Sequence, residues 1–293
     1  MSKELAGGLT FLEGPRWHEG KLWVSDFFSR RVLTVDDAGG IDVVAYLPDS
    51  MPSGLGWDRD GHLLISSMVD RRLVRFVEGA VEIVADLSSD APWLINDMLV
   101  DDFGRAYIGQ FGWDDASSPE IVPTELLMVM PDGEIVVAAS DLVFPNGMAL
   151  TDQGRTLLVS ETFAGRISAF TRSDDGTLSD RRTWAQFTDA DFGTIPEAIA
   201  AGVPLPDGLA IDVAGCVWMG DAVGDAALRV APGGEIVDRV VAGDGQSVFA
   251  VALGGEDRRT LYMCCAEPYG KGDPSTRSVA RLLAQRVSVP GAP

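Results

Sequence analysis

One phrase returns six times along this chain: a small residue, an apolar alternation, an acidic turn with glycine, then an aliphatic run ending in a small residue. It reads GPRWHEGKLWVSD from Gly14, GLGWDRDGHLLIS from Gly54 and DMLVDDFGRAYIG from Asp97. It reads GMALTDQGRTLLVS from Gly147, GLAIDVAGCVWMG from Gly208 and AVALGGEDRRTLYMC from Ala250. Successive copies begin 40, 43, 50, 61 and 42 residues apart. Each copy reads as a hairpin of two short alternating strands around a turn such as Asp60-Gly61 or Asp212-Val213-Ala214-Gly215. Two further strand-like runs follow most copies, for example RRLVRFV and VEIVADL. Helical periodicity is almost absent.

A period of this size, with about four strands in each unit, is the mark of a propeller. One unit cannot bury both of its faces, so neighbours must stack into a ring. The expected fold is therefore an all-β, six-bladed β-propeller with four-stranded antiparallel blades, in a single domain spanning residues 1–293. The runs at residues 9–12 and 279–287 flank the repeats and are expected to pair in the closing blade, which would protect sheet edges. A β-sandwich would leave the six copies unexplained.

In a propeller, equivalent positions of successive blades lie on one ring around the axis. The residues just before the six phrases are Glu13, Ser53, Asn96, Asn146, Asp207 and Phe249. Taken singly, Glu-Gly, Asn-Gly and Asp-Gly are turn pairs. At one register of a repeat, Glu13, Asn96, Asn146 and Asp207 would instead converge as an all-oxygen site with two carboxylates in the central channel. Hard divalent cations suit such a donor set: Ca²⁺ first, with Mg²⁺, Mn²⁺, Zn²⁺ or Fe²⁺ as alternatives. Without a cation, the two carboxylates would repel and raise one pKa.

Composition narrows the partners. Lys and Arg total 23 against 44 Asp and Glu, a formal charge of −21. So acidic a surface repels phosphate backbones and anionic lipid, so neither nucleic acid nor membrane is an expected partner. The opening MSKELAGGLTF holds no apolar stretch of signal-peptide length, and no run reaches the roughly 18 apolar residues of a membrane span. The three cysteines, Cys216, Cys264 and Cys265, are too few and too clustered for a disulfide framework and fall in strand-like runs. They read as buried small apolar residues of a cytoplasmic protein, a monomer or homodimer.

Around the expected mouth lie Met51, Trp93, Leu94, Met98, Phe111, Trp113, Phe144 and Phe249, which would form an apolar pocket collar. The longest interval holds an insertion at residues 188–205, where Pro196 opens a possible short helix, and it reads as a lid or pocket wall. Residues 112–124 are a second candidate wall. Other catalytic schemes lack their motifs: there is no G-x-S-x-G elbow, no C-x-x-C pair and no G-x-G-x-x-G nucleotide loop. The two histidines, His18 and His62, fall in hairpin turns, where solvation is the ordinary role.

The runs Leu12-Glu13-Gly14-Pro15-Arg16-Trp17, Asn96-Asp97, Pro145-Asn146-Gly147 and Pro206-Asp207-Gly208 resemble the signatures of the SMP-30/gluconolactonase/luciferin-regenerating-enzyme family. Four such motifs in order, spread over about residues 9–268, are specific where each alone is weak. The resemblance implies a six-bladed propeller with one divalent ion, bound directly by Glu13, Asn146 and Asp207, with Asn96 binding metal or contacting substrate. It implies that Asp207 serves as base, or as nucleophile in phosphotriesterase-like relatives, and that the substrates are sugar lactones, other lactones or organophosphates.

Sugar lactonases of this family often carry an arginine two residues before the asparagine, where it binds substrate hydroxyls. Here that position is Leu94. A buried polar clamp worth about 1–3 kcal/mol is thereby missing. The reading that follows is a metal-dependent lactonase or carboxylic-ester hydrolase for a substrate less polar than a sugar lactone, with Asp207 and Asn96 as catalytic residues. A phosphotriesterase, a metal-assisted lyase or isomerase of a secondary-metabolite pathway, and a non-catalytic ligand-binding propeller are the competing readings.

Overall fold

A computed structural model describes residues 2–269, 271 and 274–292. The fold is propeller-like and nearly all β. Four sheets have four strands each, every neighbouring pair antiparallel. Their innermost strands are Leu12–His18, Pro52–Trp57, Ile95–Val100 and Pro145–Thr151. Each is followed outward by its hairpin partner, Lys21–Asp26, Leu63–Ser67, Ala106–Gln110 and Thr156–Glu161, then by two outer strands. The two strands of each hairpin are the recurrent phrase of the sequence.

The other eight strands form a single sheet, so the expectation of six four-stranded blades is corrected to four such blades and one eight-stranded sheet. One half of that sheet runs Pro206–Ile211, Val217–Asp221, Ala226–Val230, Ile236–Val241, and the other runs Ser247–Gly254, Thr260–Ala266, Ala280–Arg286, Lys3–Leu9. Asp221 pairs with Val248 and joins the halves. The join depends on Gly220, where a Cβ would lie 2.4 Å from the Phe249 carbonyl oxygen and 2.6 Å from that of Val248. A side chain there would hold the two strands apart.

Closure follows the sequence expectation in kind but not in bounds. The N-terminal strand is Lys3–Leu9, paired with Ala280–Arg286 in the register Ala6↔Leu282, whereas Leu12 already belongs to the first inner strand. Each inner strand packs on the next, and Ser247–Gly254 packs on Leu12–His18 to complete the ring. The cores lie between adjacent sheets, as with Leu12, Leu33, Tyr262 and Leu282 in one and Ile95, Ile108, Leu64 and Leu127 in another. The three cysteines are free and buried, Cys264 and Cys265 within such cores. No described helix is long and apolar enough to cross a membrane.

The acidic turns have a structural use. Asp58 accepts from the N–H groups of Asp60 and His62, Asp101 from Phe103 and Arg105, and Asp212 from Ala214 and Cys216. Such bonds mimic a backbone turn. An arginine then neutralises each carboxylate: Arg75 on Asp58, Arg105 on Asp101 and Arg229 on Asp212, all at 2.7 Å.

Candidate functional site

Regular pairing breaks at the same place in every inner strand, between Glu13/Arg16, Pro52/Leu55, Ile95/Met98, Pro145/Met148, Pro206/Leu209 and Val248/Ala250. Bulges of this kind re-aim a side chain out of the alternating pattern. The glycine after the ring residue permits the crowding this requires. Gly14 adopts φ +56°, and a Cβ there would sit 2.6 Å from the Ser53 carbonyl oxygen. A Cβ on Gly147 would sit 2.4 Å from the Asp207 carbonyl oxygen. The Xaa-Gly pairs are therefore close-approach points of the inner strands rather than turns.

Glu13, Asn96, Asn146 and Asp207 line one cavity, each with no more than 6% of its surface exposed. A chain of hydrogen bonds fixes the amides. Ser53 Oγ donates to Asn96 Oδ1 at 3.2 Å, and Asn96 Nδ2 donates to Asn146 Oδ1 at 3.1 Å. Asn146 Nδ2 donates to Thr162 Oγ1 at 3.3 Å, whose hydroxyl donates to the Pro206 carbonyl at 2.9 Å.

The carboxylates are less well provided. Burial, then repulsion by Asp207 and Asp97, pushes the Glu13 carboxyl well above the usual range. Burial and Asp97 do the same to Asp207. Arg16 donates to Asp97 Oδ1 at 3.0 Å, which provides that carboxylate with a cation. Asp207 Oδ1 is buried with no hydrogen-bond partner among the described residues. A buried carboxylate oxygen without a partner, beside a second buried carboxylate and two amide oxygens, is a donor set that a hard divalent cation fits.

The sequence pattern of the SMP-30/Gluconolactonase/LRE-like region matches residues 11–267. The chain belongs to this family. A pentonolactonase of Haloferax volcanii is 28% identical over 92% of this chain and 88% of its own length. A 6-deoxy-6-sulfogluconolactonase of Pseudomonas putida is 28% identical over 67% of this chain, which spans 62% of that relative. Among solved structures, a calcium-binding protein, regucalcin, from Agrobacterium tumefaciens strain C58 superposes with a TM-score of 0.79 at 21% identity. That superposition covers 100% of this chain and 95% of the other, and it speaks to the fold.

The family match takes in all four ring residues and most of the cavity wall. Of the predicted pocket residues, Phe111 and Phe249 line the cavity, and so does Phe144 of the wider collar. Met98 does not: it is fully buried between sheets, under Gly54. Trp113 stands behind the wall, 5.9 Å from Phe144 in an edge contact. Trp93 and Leu94 are half-buried beside the wall, and the Leu94 carbonyl accepts the Phe111 N–H at 2.9 Å.

Sequence reading missed Phe11, Phe27, Thr162, Phe163 and Tyr269, all of which line the cavity, whereas Leu205 falls within the insertion expected as a wall. A signal was present for one of them. Phe11, like Phe144 and Leu205, stands two residues before a ring position, although Met51 and Leu94 at the same register do not line the cavity.

The insertion at residues 188–205 covers this wall. Its helix, Ile195–Ala200, is capped by Thr194, with Glu197 returning the bond in a capping box. Ile195 and Ala198 pack with Trp113, Phe144, Phe163 and Leu205. Thr194 bridges to Glu120, and Ile195 N–H donates to the Pro119 carbonyl at 2.9 Å, so the second candidate wall and the insertion are one unit. Across the rim, Tyr269 donates to Asp115 Oδ2 at 3.0 Å.

Both histidines lie away from the ring. His18, at the far end of its inner strand, stacks on Trp57 at 3.7 Å. His62 lies with Asp58 and Asp60 in a hairpin turn where three ligand atoms come close together. There the Asp58 carboxylate is already taken up by Arg75 and by backbone N–H groups, which accounts for the cluster as a turn.

Proposed function

We propose that this chain is a divalent-cation-dependent hydrolase that opens lactones, with a substrate less polar than a sugar lactone. The observation that carries this reading is the unpartnered Asp207 oxygen among Glu13, Asn96 and Asn146 in one buried cavity. The names of the pentonolactonase and sulfogluconolactonase relatives support the reaction class. The calcium binding of the similar regucalcin from Agrobacterium tumefaciens supports Ca²⁺ among the hard cations.

Glu13, Asn146 and Asp207 would hold the cation, with Asn96 as fourth ligand or as the group that orients the acyl carbonyl. Polarising that carbonyl and stabilising the oxyanion is the chemistry a divalent cation supplies when bound. Asp207 takes the proton as water oxygen bonds to the acyl carbon. The ring C–O bond then breaks, and the proton passes to the departing alkoxide. Because the ring opens without releasing a fragment, both new groups stay in the cavity until the product leaves.

The wall supports the apolar preference. Phe11, Phe27, Phe111, Phe144, Phe163 and Phe249 surround the ring, and among the described residues no lysine or arginine lines the cavity. Phenyl walls exclude water and reward apolar ring substituents, but offer nothing to a row of hydroxyls. The test is kcat/KM over alkyl- and aryl-substituted γ- and δ-lactones against aldonolactones of equal ring size. The reading expects the apolar members to win by tenfold or more, about 1.4 kcal/mol. A preference for the hydroxylated rings would reject it.

A further inference from the structure

In each of the four-stranded sheets and in the Asp207 half of the large sheet, the residue just before the ring position pairs with the last residue of the neighbouring strand. The pairs are Leu12↔Asp26, Pro52↔Ser67, Ile95↔Gln110, Pro145↔Glu161 and Pro206↔Asp221. All five partners are polar, yet only three are carboxylates. Those three adjoin Glu13, Asn146 and Asp207. Asn96, whose amide is held by Ser53 instead, is adjoined by glutamine.

The three carboxylates share one task. Asp26 Oδ1 accepts from Thr10 N–H at 2.9 Å and Phe11 N–H at 3.2 Å, and also from the Thr10 hydroxyl. Glu161 Oε2 accepts from Val143 N–H at 2.9 Å. Asp221 Oδ1 accepts from Leu205 N–H at 3.2 Å and Val223 N–H at 3.3 Å. In every case at least one donor belongs to the segment that enters the inner strand, two or three residues before the ring residue, whereas Val223 lies just beyond Asp221 itself. Asp26 and Glu161 are fully buried, and Asp221 is 7% exposed.

Two of the three are charge-balanced away from the ring. Arg31 meets Asp26 Oδ2 at 3.0 Å, and Arg166 and Arg181 meet Glu161 at 2.8 and 2.7 Å. Serine 67 and Gln110 do otherwise: Ser67 Oγ donates to Asp70, and Gln110 Nε2 donates to the Glu125 carbonyl at 3.1 Å. The carboxylate therefore tracks the ring positions proposed to bind the cation directly, and not the repeat as such.

We propose that Asp26, Glu161 and Asp221 are positioning residues: carboxylate brackets that fix the entering backbone and so set the geometry of Glu13, Asn146 and Asp207 for a divalent cation. The inference rests on the cation reading of the ring. At the entry to the bulged strand the backbone is tied through the carbonyls of Phe11, Phe144 and Leu205, which accept from Phe27, Thr162 and Ala222, and pairing is then interrupted past the ring residue, so its register is weakly set. A buried acceptor for an N–H of the entering segment, two successive ones at Asp26, adds a bond from the N–H side, and charged acceptors make the stronger ones. Outer-shell groups around metal ligands act in this way and change affinity by about 10–100-fold.

The test is calorimetric titration of the full chain with Ca²⁺, and with Mn²⁺ in parallel, reading affinity and stoichiometry separately. Asp26→Ala should weaken binding by about tenfold or more at a stoichiometry still near one. Asp26→Asn keeps an Oδ1 acceptor for Thr10 and Phe11 and should restore most of the affinity. Asp212→Ala, which removes an equally buried turn carboxylate at the far end of its hairpin, should lower Tm and leave affinity unchanged. Wild-type affinity in Asp26→Ala overturns the bracket, as does lost stoichiometry at unchanged affinity, which would mark a purely structural role. An equal loss of affinity in Asp212→Ala overturns it too. A wild-type chain that takes up neither ion removes the cation reading itself, and the bracket with it.

Discussion

Asp207 has a buried carboxylate oxygen with no partner among the described residues, and a second buried carboxylate, Glu13, among its neighbours. In the cation-free protein this is a local cost. Asp207→Asn should therefore raise the Tm of chelated protein by about 2–4 °C, the effect of roughly 1 kcal/mol in a chain of this size. The same change should cut lactone hydrolysis at least ~100-fold, by removing the proton acceptor and a cation ligand. A melting curve and a rate on one preparation check both. The pH dependence has a definite sign. Folded-state pKa values of Glu13 and Asp207 are raised, so the folded chain keeps protons that the unfolded chain has shed. Their contribution without cation is present at acid pH and is lost as pH rises through the raised values. A bound cation favours the deprotonated forms, so the rise in Tm on adding Ca²⁺ should be larger at about pH 8 than at about pH 5. An equal rise at both would contradict the assignment. These ring residues were readable because Xaa-Gly recurs at one register; Thr162 and Tyr269 were not, because they reach the cavity from outside the repeat.

The inner strands owe their function to bulges and to the lack of a side chain beside them. Gly147→Ala would place a methyl group 2.4 Å from the Asp207 carbonyl oxygen. It should cost about 1–3 kcal/mol in a urea titration, as overpacking does, and displace Asp207 enough to weaken Ca²⁺ binding as well. The insertion tests a different link. Thr194→Ala removes the cap of Ile195–Ala200 at a local cost of about 1 kcal/mol. Because that helix backs Phe144 and Phe163, KM should rise more than kcat falls in steady-state kinetics. Hairpins such as the one around Asp212 were legible because Asp and Gly at fixed offsets name their own turn. The bridge Glu120↔Thr194 was not, since it joins two irregular segments distant in sequence and leaves no periodic trace.

On the scale of the whole molecule, the ring closes through Lys3–Leu9 on Ala280–Arg286. Removing residues 2–9 would bare the edge of Ala280–Arg286 and part of the Leu282 core, so the truncated chain should melt earlier and associate in size-exclusion chromatography. Six phrases suggested six separate blades, and the eight-stranded sheet departs from that because Gly220 lets two strands meet where the repeat alone would separate them. A sequence period counts hairpins; it does not report which sheets their edges join. The most direct test of cation-dependent lactone opening at this ring is acid release by pH-stat on an aryl-substituted lactone, before chelation, after it and after restoring Ca²⁺. Release that stops on chelation and returns with Ca²⁺ in the wild type, and is absent throughout in Asp207→Asn, is the predicted result. Release that persists in chelator, or survives Asp207→Asn, would contradict it.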